Sequence, residues 1–210
     1  MQIRSDSLVP YAWIDERLAF GRFDAATNIA LAGNRNPHLA WSDPPTGTRS
    51  FALFVFDPDV PTAATYVNRT DCTVPLDFPR GDFFHWVVVD LPADLREIAE
   101  GAHSDGVVAR GKPVGPTPSG GRTGLNDYTG WFAGDAEMKG DYAGYDGPCP
   151  PFNDERVHGY RFEIVALDVE RVALPDRFDG PAARRAIEGH VLARATLLGR
   201  YAIRPASRLD

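Results

Sequence analysis

The sequence predicts a mainly β protein, a single sandwich of strands joined by long ordered loops. Three observations predict it. Four stretches, 51–61, 83–92, 158–168 and 190–203, are either apolar on both parities or alternate with a period of two, as strands do. The 18 prolines and 20 glycines are spread along the chain instead of pooled in a linker, which favours short strands with many turns. At 210 residues and 43% hydrophobic content the chain holds enough apolar material for one well-packed domain, residues 1–210, and only two short stretches read as helix.

Residues 1–50 are poor in periodicity. Arg17-Leu-Ala-Phe-Gly-Arg-Phe23 reads as a short edge strand, and Ser42-Asp-Pro-Pro-Thr-Gly-Thr48 as a turn cluster. The organising stretch follows: Phe51-Ala-Leu-Phe-Val-Phe-Asp-Pro-Asp-Val-Pro61, six residues without a charge that run into two carboxylates. Pro58 and Pro61 cannot donate to a ladder, so pairing is expected to stop there. Asp57 and Asp59, two apart on extended backbone, are expected to face the same way. Residues 62–82 form a long loop, a feature more often functional than idle in a compact domain.

Phe83-Phe-His-Trp-Val-Val-Val-Asp-Leu-Pro92 is apolar on both parities, as a strand buried on two faces should be. A short helix is expected over 92–101, with Leu95 and Ile98 on one side and Gly101 to end it. Residues 101–157 are Gly/Pro-rich and polar, and read as loops draped over one end of the sandwich. In 158–168, His158, Tyr160, Phe162, Ile164 and Ala166 share one face, opposite Arg161 and Glu163. A compact helix over 181–188 leads into the last strand, 190–203.

With 29 acidic against 22 basic residues the net charge is −7, and no Lys/Arg run offers a footprint for nucleic acid or an anionic membrane. The first residues lack a basic segment followed by an apolar core, and nothing approaches eighteen consecutive apolar residues, so a cytoplasmic protein without a membrane span is expected. Cys72 and Cys149 share no metal-type spacing; free thiols are the default reading and a disulfide stays open.

The chemistry-bearing residues gather at strand ends. Asp57 and Asp59 stand at the exit of one strand, while His85 and His158 stand at the entrances of two others. If these strands pair antiparallel, two carboxylates and two imidazoles meet at one end of the sheet. His38 and His103 read as solvated loop residues, and His190 as a cap or wall. Neither a Gly-x-Ser-x-Gly elbow, a phosphate loop followed by Lys, a His-Glu-x-x-His helix nor a Cys-x-x-Cys pair is present.

These same residues resemble the phosphatidylethanolamine-binding protein family, and more closely its bacterial Raf kinase inhibitor-like branch. The likeness rests on Asp57-Pro-Asp-Val-Pro61, Phe84-His-Trp-Val-Val-Val-Asp-Leu-Pro92, Gly147-Pro-Cys-Pro-Pro151 and His158-Gly-Tyr160. Asn36-Pro-His-Leu-Ala-Trp41, Ser50-Phe-Ala-Leu53 and Ile187-Glu-Gly-His-Val-Leu-Ala193 extend it. The resemblance implies an antiparallel β-sandwich with a few short peripheral helices and one small pocket at an end. That pocket would take a small anion or a phospholipid head group. Carried over by position, its lining is Asp57, Asp59, His85, His158 and Tyr160, with the backbone of Gly147 and Pro148 as another wall. Gly159 stands where the family usually has Arg, and the segments 62–82 and 131–145 are longer than in compact members.

The reading is therefore a non-enzymatic binding module that needs no cofactor and no metal. His85 and His158 would both be protonated and would donate to the anion, with Asp57 and Asp59 orienting them. The partners are a small anionic ligand or phospholipid head group, with a protein partner and a homodimer as further candidates; a regulated kinase follows from the family name alone. A metal-assisted hydrolase using the Asp/His cluster, and an interaction scaffold using the long loops, are the rival readings. A cis peptide bond is expected between Val60 and Pro61.

Overall fold

The computed structural model describes residues 1–204. Eleven strands are found among them: β1 (Gln2–Arg4), β2 (Gly21–Asp24), β3 (Asn28–Leu31), β4 (Leu39–Ser42), β5 (Ser50–Pro61), β6 (Arg80–Pro92), β7 (Glu97–Ile98), β8 (Gly115–Pro116), β9 (Arg122–Thr123), β10 (His158–Leu167) and β11 (Val191–Tyr201). Two short α-helices, α1 (Tyr128–Trp131) and α2 (Gly180–Ile187), and 3-10 turns at Glu16–Leu18 and Glu188–His190 complete the chain. All strand pairs are antiparallel. One sheet has the order β11-β10-β5-β6-β9-β8, a smaller one β1-β4-β7, and β2-β3 is a separate hairpin. No helix among the described residues is long and apolar enough to cross a membrane.

The large sheet is buried on both faces. On one, Leu53, Val55, Trp86, Phe162 and Ile164 meet Leu39, Trp41 and Ile98 of the small sheet. On the other, Phe54, Phe56, Phe84 and Val165 meet Ala183 and Ile187 of α2. Parity explains the division, since alternate residues of β5 go to opposite cores. Burying a side chain such as Ile187 stabilises by about 1.5–3 kcal/mol, far more than an eight-residue helix gains from its own propensity. Asp179 caps α2 by accepting from the Ala182 N–H at 2.8 Å. The helix lies so close to the sheet that a Cβ on Gly180 would stand 2.3 Å from the Phe84 ring.

The structure departs from the sequence reading at several points. The helix expected over 92–101 is a turn followed by β7, because Ile98 and Glu97 pair with Leu39 and Ala40 of β4. Helical spacing of Leu95 and Ile98 was a weak prior, and the pairing overrides it. β5 does not stop at its first proline. It continues to Pro61 through a bulge that places one extra residue between the Asp57–Phe83 and Val60–Gly81 pairs. All peptide bonds of the described residues are trans, Val60–Pro61 included, so the cis bond expected there is absent. His38 is buried, its Nδ1 accepting from the Asp6 N–H at 2.9 Å, and His103 is half-buried against Trp86. Cys72 and Cys149 are free.

Candidate functional site

At one end of the large sheet lies a cavity of about 590 Å³. Its floor is formed by Asp57 from β5, His85 from β6 and Tyr160 from β10, three neighbouring strands of one sheet. Its walls are mostly apolar: Phe20 and Ile29 from the N-terminal segment, Val60 and Pro61 from the end of β5, and Tyr128 and Phe132 from around α1. Leu31 and Trp131 stand at the mouth, 56% and 47% exposed.

Asp57 is fully buried, and both of its oxygens are occupied. Oδ2 faces His158 Nδ1 at 2.6 Å, and Oδ1 accepts from the Asp59 N–H at 2.8 Å. The other His158 nitrogen, Nε2, lies 3.1 Å from Asp154 Oδ2. Carboxylates only accept, so both imidazole nitrogens carry hydrogen and His158 is a cation. Burial by itself would lower its pKa, but the Asp57 charge and hydrogen bonds to Asp154 and Asp57 outweigh this and raise it to about 9. On Asp57 burial pushes up most strongly of the single causes, but the His158 charge and hydrogen bond, helped by the Asp59 N–H, together outweigh it and the carboxylate has a lowered pKa. Behind them Arg80 donates to Asp154 twice, at 2.5 and 3.0 Å, closing a buried chain Asp57–His158–Asp154–Arg80 in which two negative charges face two positive ones.

His85 is in the opposite condition. Its Nδ1 is 2.8 Å from the carbonyl oxygen of Asp146, which can only accept, so Nδ1 holds the hydrogen. Burial dominates here and lowers the pKa to about 4, against the smaller upward pull of Asp57. The ring is neutral near pH 7 and its Nε2 carries a lone pair. That atom is buried without a hydrogen-bond partner, and so is Tyr160 Oη. The expectation that both histidines are protonated is corrected: a shared carboxylate charges His158, which it bonds, and does not overcome the desolvation of His85.

The predicted site residues thus separate. Asp57, His85 and Tyr160 line the cavity; His158 stands behind Asp57. Asp59 does not share its direction. The bulge breaks the two-residue alternation, and its carboxylate accepts from Gly159 N–H at 2.9 Å and Arg156 Nη1 at 3.0 Å. Gly147 and Pro148 sit one layer back, Gly147 O accepting from Tyr128 Oη and Pro148 O from the Phe20 and Gly21 N–H groups. Sequence reasoning missed the supports. Asp146, next to the recognised Gly-Pro run, is gripped by Asn34 Nδ2 and Asn126 Nδ2 at 2.8 Å and by Lys112 Nζ at 2.7 Å, which fixes the carbonyl that orients His85. Asp154 lies four residues before His158, but in a loop, where that spacing carries no signal.

The chain that carries this floor is similar to known proteins over most of its length. The family model of the phosphatidylethanolamine-binding protein covers residues 14–202. The chain belongs to the phosphatidylethanolamine-binding protein family. Within it, the chain is 32% identical to the UPF0098 protein YbhB of Escherichia coli over 174 residues, 80% of this chain and 82% of that one. It is 33% identical to a UPF0098 protein of Aquifex aeolicus over 169 residues, 79% and 73% of the two chains. The crystal structure of E. coli YbcL, described as a new member of the mammalian PEBP family, superposes with a TM-score of 0.68 at 26% identity, covering 97% of this chain and 98% of that one. A homologue from Chlamydia trachomatis, CT736, gives 0.59 at 25% identity with 95% of each chain covered. The bacterial branch and the fold implied by the sequence motifs are therefore those of a phosphatidylethanolamine-binding protein.

Proposed function

We propose that the cavity is a non-enzymatic binding site for a phosphoryl-type anion that carries an apolar tail, the head against His85 and Tyr160 and the tail along the walls. The observation that carries this reading is the pair of buried polar atoms, His85 Nε2 and Tyr160 Oη, left without partners at the end of a mostly apolar cavity. Buried polar groups are nearly always bonded, and an unbonded pair facing a space of ligand size calls for a ligand. Because Asp57 is neutralised by His158, the floor does not present a net negative charge to an anion. A bare phosphate would leave Phe20, Ile29, Val60 and Phe132 uncovered, so the tail adds apolar burial that the free ion lacks. Family membership supports the phosphoryl head.

Titration of hexyl phosphate, followed by the fluorescence of Trp131 and by calorimetry, tests the reading. One molecule should bind per chain, more tightly than inorganic phosphate or hexanol. Tyr160→Phe should weaken binding by roughly three- to tenfold, the loss of one hydrogen bond worth about 0.5–1.5 kcal/mol. Unchanged affinity in both Tyr160→Phe and His85→Ala would place any binding elsewhere and end the proposal.

A further inference from the structure

One wall of the cavity is a cluster of aromatic rings drawn from three separate parts of the chain. Phe20 stands just before β2, Phe83 lies on β6, and Tyr128, Trp131 and Phe132 belong to α1 and its end. Phe20 and Tyr128 are stacked, with ring centroids 4.4 Å apart at 20°. Phe132 lies 5.7 Å from Tyr128 at 15° and 5.8 Å from Phe20 at 34°, so the three rings lean the same way. Phe83 meets Tyr128 edge-on, at 5.2 Å and 81°, and stands 5.0 Å from the His85 ring. The cluster therefore begins beside the floor, and Trp131 carries it to the mouth.

These rings are set by the fold before any ligand arrives. Behind them Tyr142 is fully buried, 5.3 Å from Phe132, and its hydroxyl donates to the Met138 carbonyl at 2.8 Å. The Tyr128 hydroxyl donates to the Gly147 carbonyl at 2.8 Å, and the Phe132 N–H closes the turn of α1 on the Tyr128 carbonyl at 2.9 Å. Phe83 and Phe132 are only half-buried, which leaves ring surface open on the cavity side of the cluster. The rest of the wall, Ile29, Val60 and Pro61 among it, is aliphatic.

Buried area alone does not distinguish a saturated group from an aromatic one of the same size. A wall of fixed rings does. An aromatic guest gains offset-stacked or edge-to-face contacts beyond its buried area, and a saturated guest gains none. It also arrives rigid, with fewer rotors to freeze than an alkyl chain. The geometry points to a ligand whose apolar part is an aromatic ring: the cavity takes an aryl-bearing phosphoryl compound in preference to its saturated counterpart. This rests on the phosphoryl reading above and names the tail, with the wall and not the floor as the selecting element.

The test sets benzyl phosphate against cyclohexylmethyl phosphate on the wild-type protein. A methylene separates ring and head in both, so the head and its charge are alike, and the saturated ring offers at least as much apolar surface. Calorimetry should give benzyl phosphate the lower Kd by about two- to tenfold, the range that aromatic pairs contribute beyond burial. Phe132→Leu keeps the wall apolar but removes a ring, and should bring the two affinities together. Phe83→Leu serves the same purpose from β6 if the first variant does not fold. Cyclohexylmethyl phosphate binding as tightly as benzyl phosphate, or an unchanged ratio in the variants, overturns the aromatic selection and leaves the phosphoryl reading standing. Benzyl alcohol binding as tightly as benzyl phosphate overturns the phosphoryl reading and with it the class named here. If neither phosphate binds, and hexyl phosphate does not either, both readings fall.

Discussion

His85 and His158 stand on either side of Asp57 in opposite charge states, His158 bonded to the carboxylate and cationic, His85 unbonded to it and neutral. What separates them is the second partner. His158 has another carboxylate, Asp154, at its far nitrogen, whereas His85 has a carbonyl on one side and no bond on the other.

Stability should consequently peak near neutral pH. The His158 pKa is raised from an ordinary value near 6.5 to about 9, so its contribution is complete below about 6.5 and disappears as pH climbs through about 9. The span corresponds to a loss on the order of 3 kcal/mol. The His85 pKa is lowered to about 4, so its native state resists protonation and stability falls as pH drops from about 6.5 toward 4. Urea midpoints measured across this range should trace both limbs, and a flat alkaline limb would mean that His158 is not held as a cation.

Arg80→Met should destabilise by about 3–5 kcal/mol, because it strands Asp154 inside the protein with one cation fewer. The same side chain bonds the carbonyls of Asp59, Pro75 and Phe78. Hydrogen exchange should then show the amides of 72–79 losing protection before those of β10. Equal loss in both would show a uniform effect instead.

Gly147→Ala should cost about 1–3 kcal/mol by overpacking, since a Cβ there would stand 2.1 Å from the Leu18 carbonyl oxygen. The displacement reaches His85 through the neighbouring Asp146 carbonyl, so the imidazole NMR signals of His85 should move while those of His190, on the surface, stay put. Unmoved His85 signals would break the link between the Gly-Pro run and the floor.

Chelation should leave both thermal stability and hexyl phosphate affinity unchanged. The His158 nitrogens face Asp57 and Asp154 with hydrogens between, so a metal would have to displace two charge-assisted bonds to reach them. Stoichiometric zinc that leaves together with ligand affinity would favour the hydrolase reading.

The four long strands were legible because two are uninterrupted apolar runs and two alternate with the period the backbone imposes. Asp57, His85 and Tyr160 came together because antiparallel pairing puts one strand's exit beside the next one's entrance. Asp59 was misread because the bulge between Asp57 and Val60 is set by the register against β6, which one strand's sequence does not contain. The walls from Phe20, just before β2, and Ile29, in β3, were missed because strands of four residues each are too short to display a period. Burial decides His85, and it depends on the whole enclosure; residue type alone pointed to the wrong protonation state.

Asn153 has a consequence for how such a site can change over time. Its side chain holds the 62–79 segment at three places, donating to the carbonyls of Tyr66 and Cys72 and accepting from the Asn68 N–H, while its own carbonyl accepts from Val74. Arg80 makes a further fastening to Asp154 next door. The span before Tyr66, which carries Thr62, Ala63 and Ala64 into the cavity wall, lies between fixed posts. Insertions or substitutions in that span alter the width of the entrance without touching the hydrogen-bonded floor. Ligand size and head-group chemistry are therefore separable traits, open to drift or to engineering one at a time.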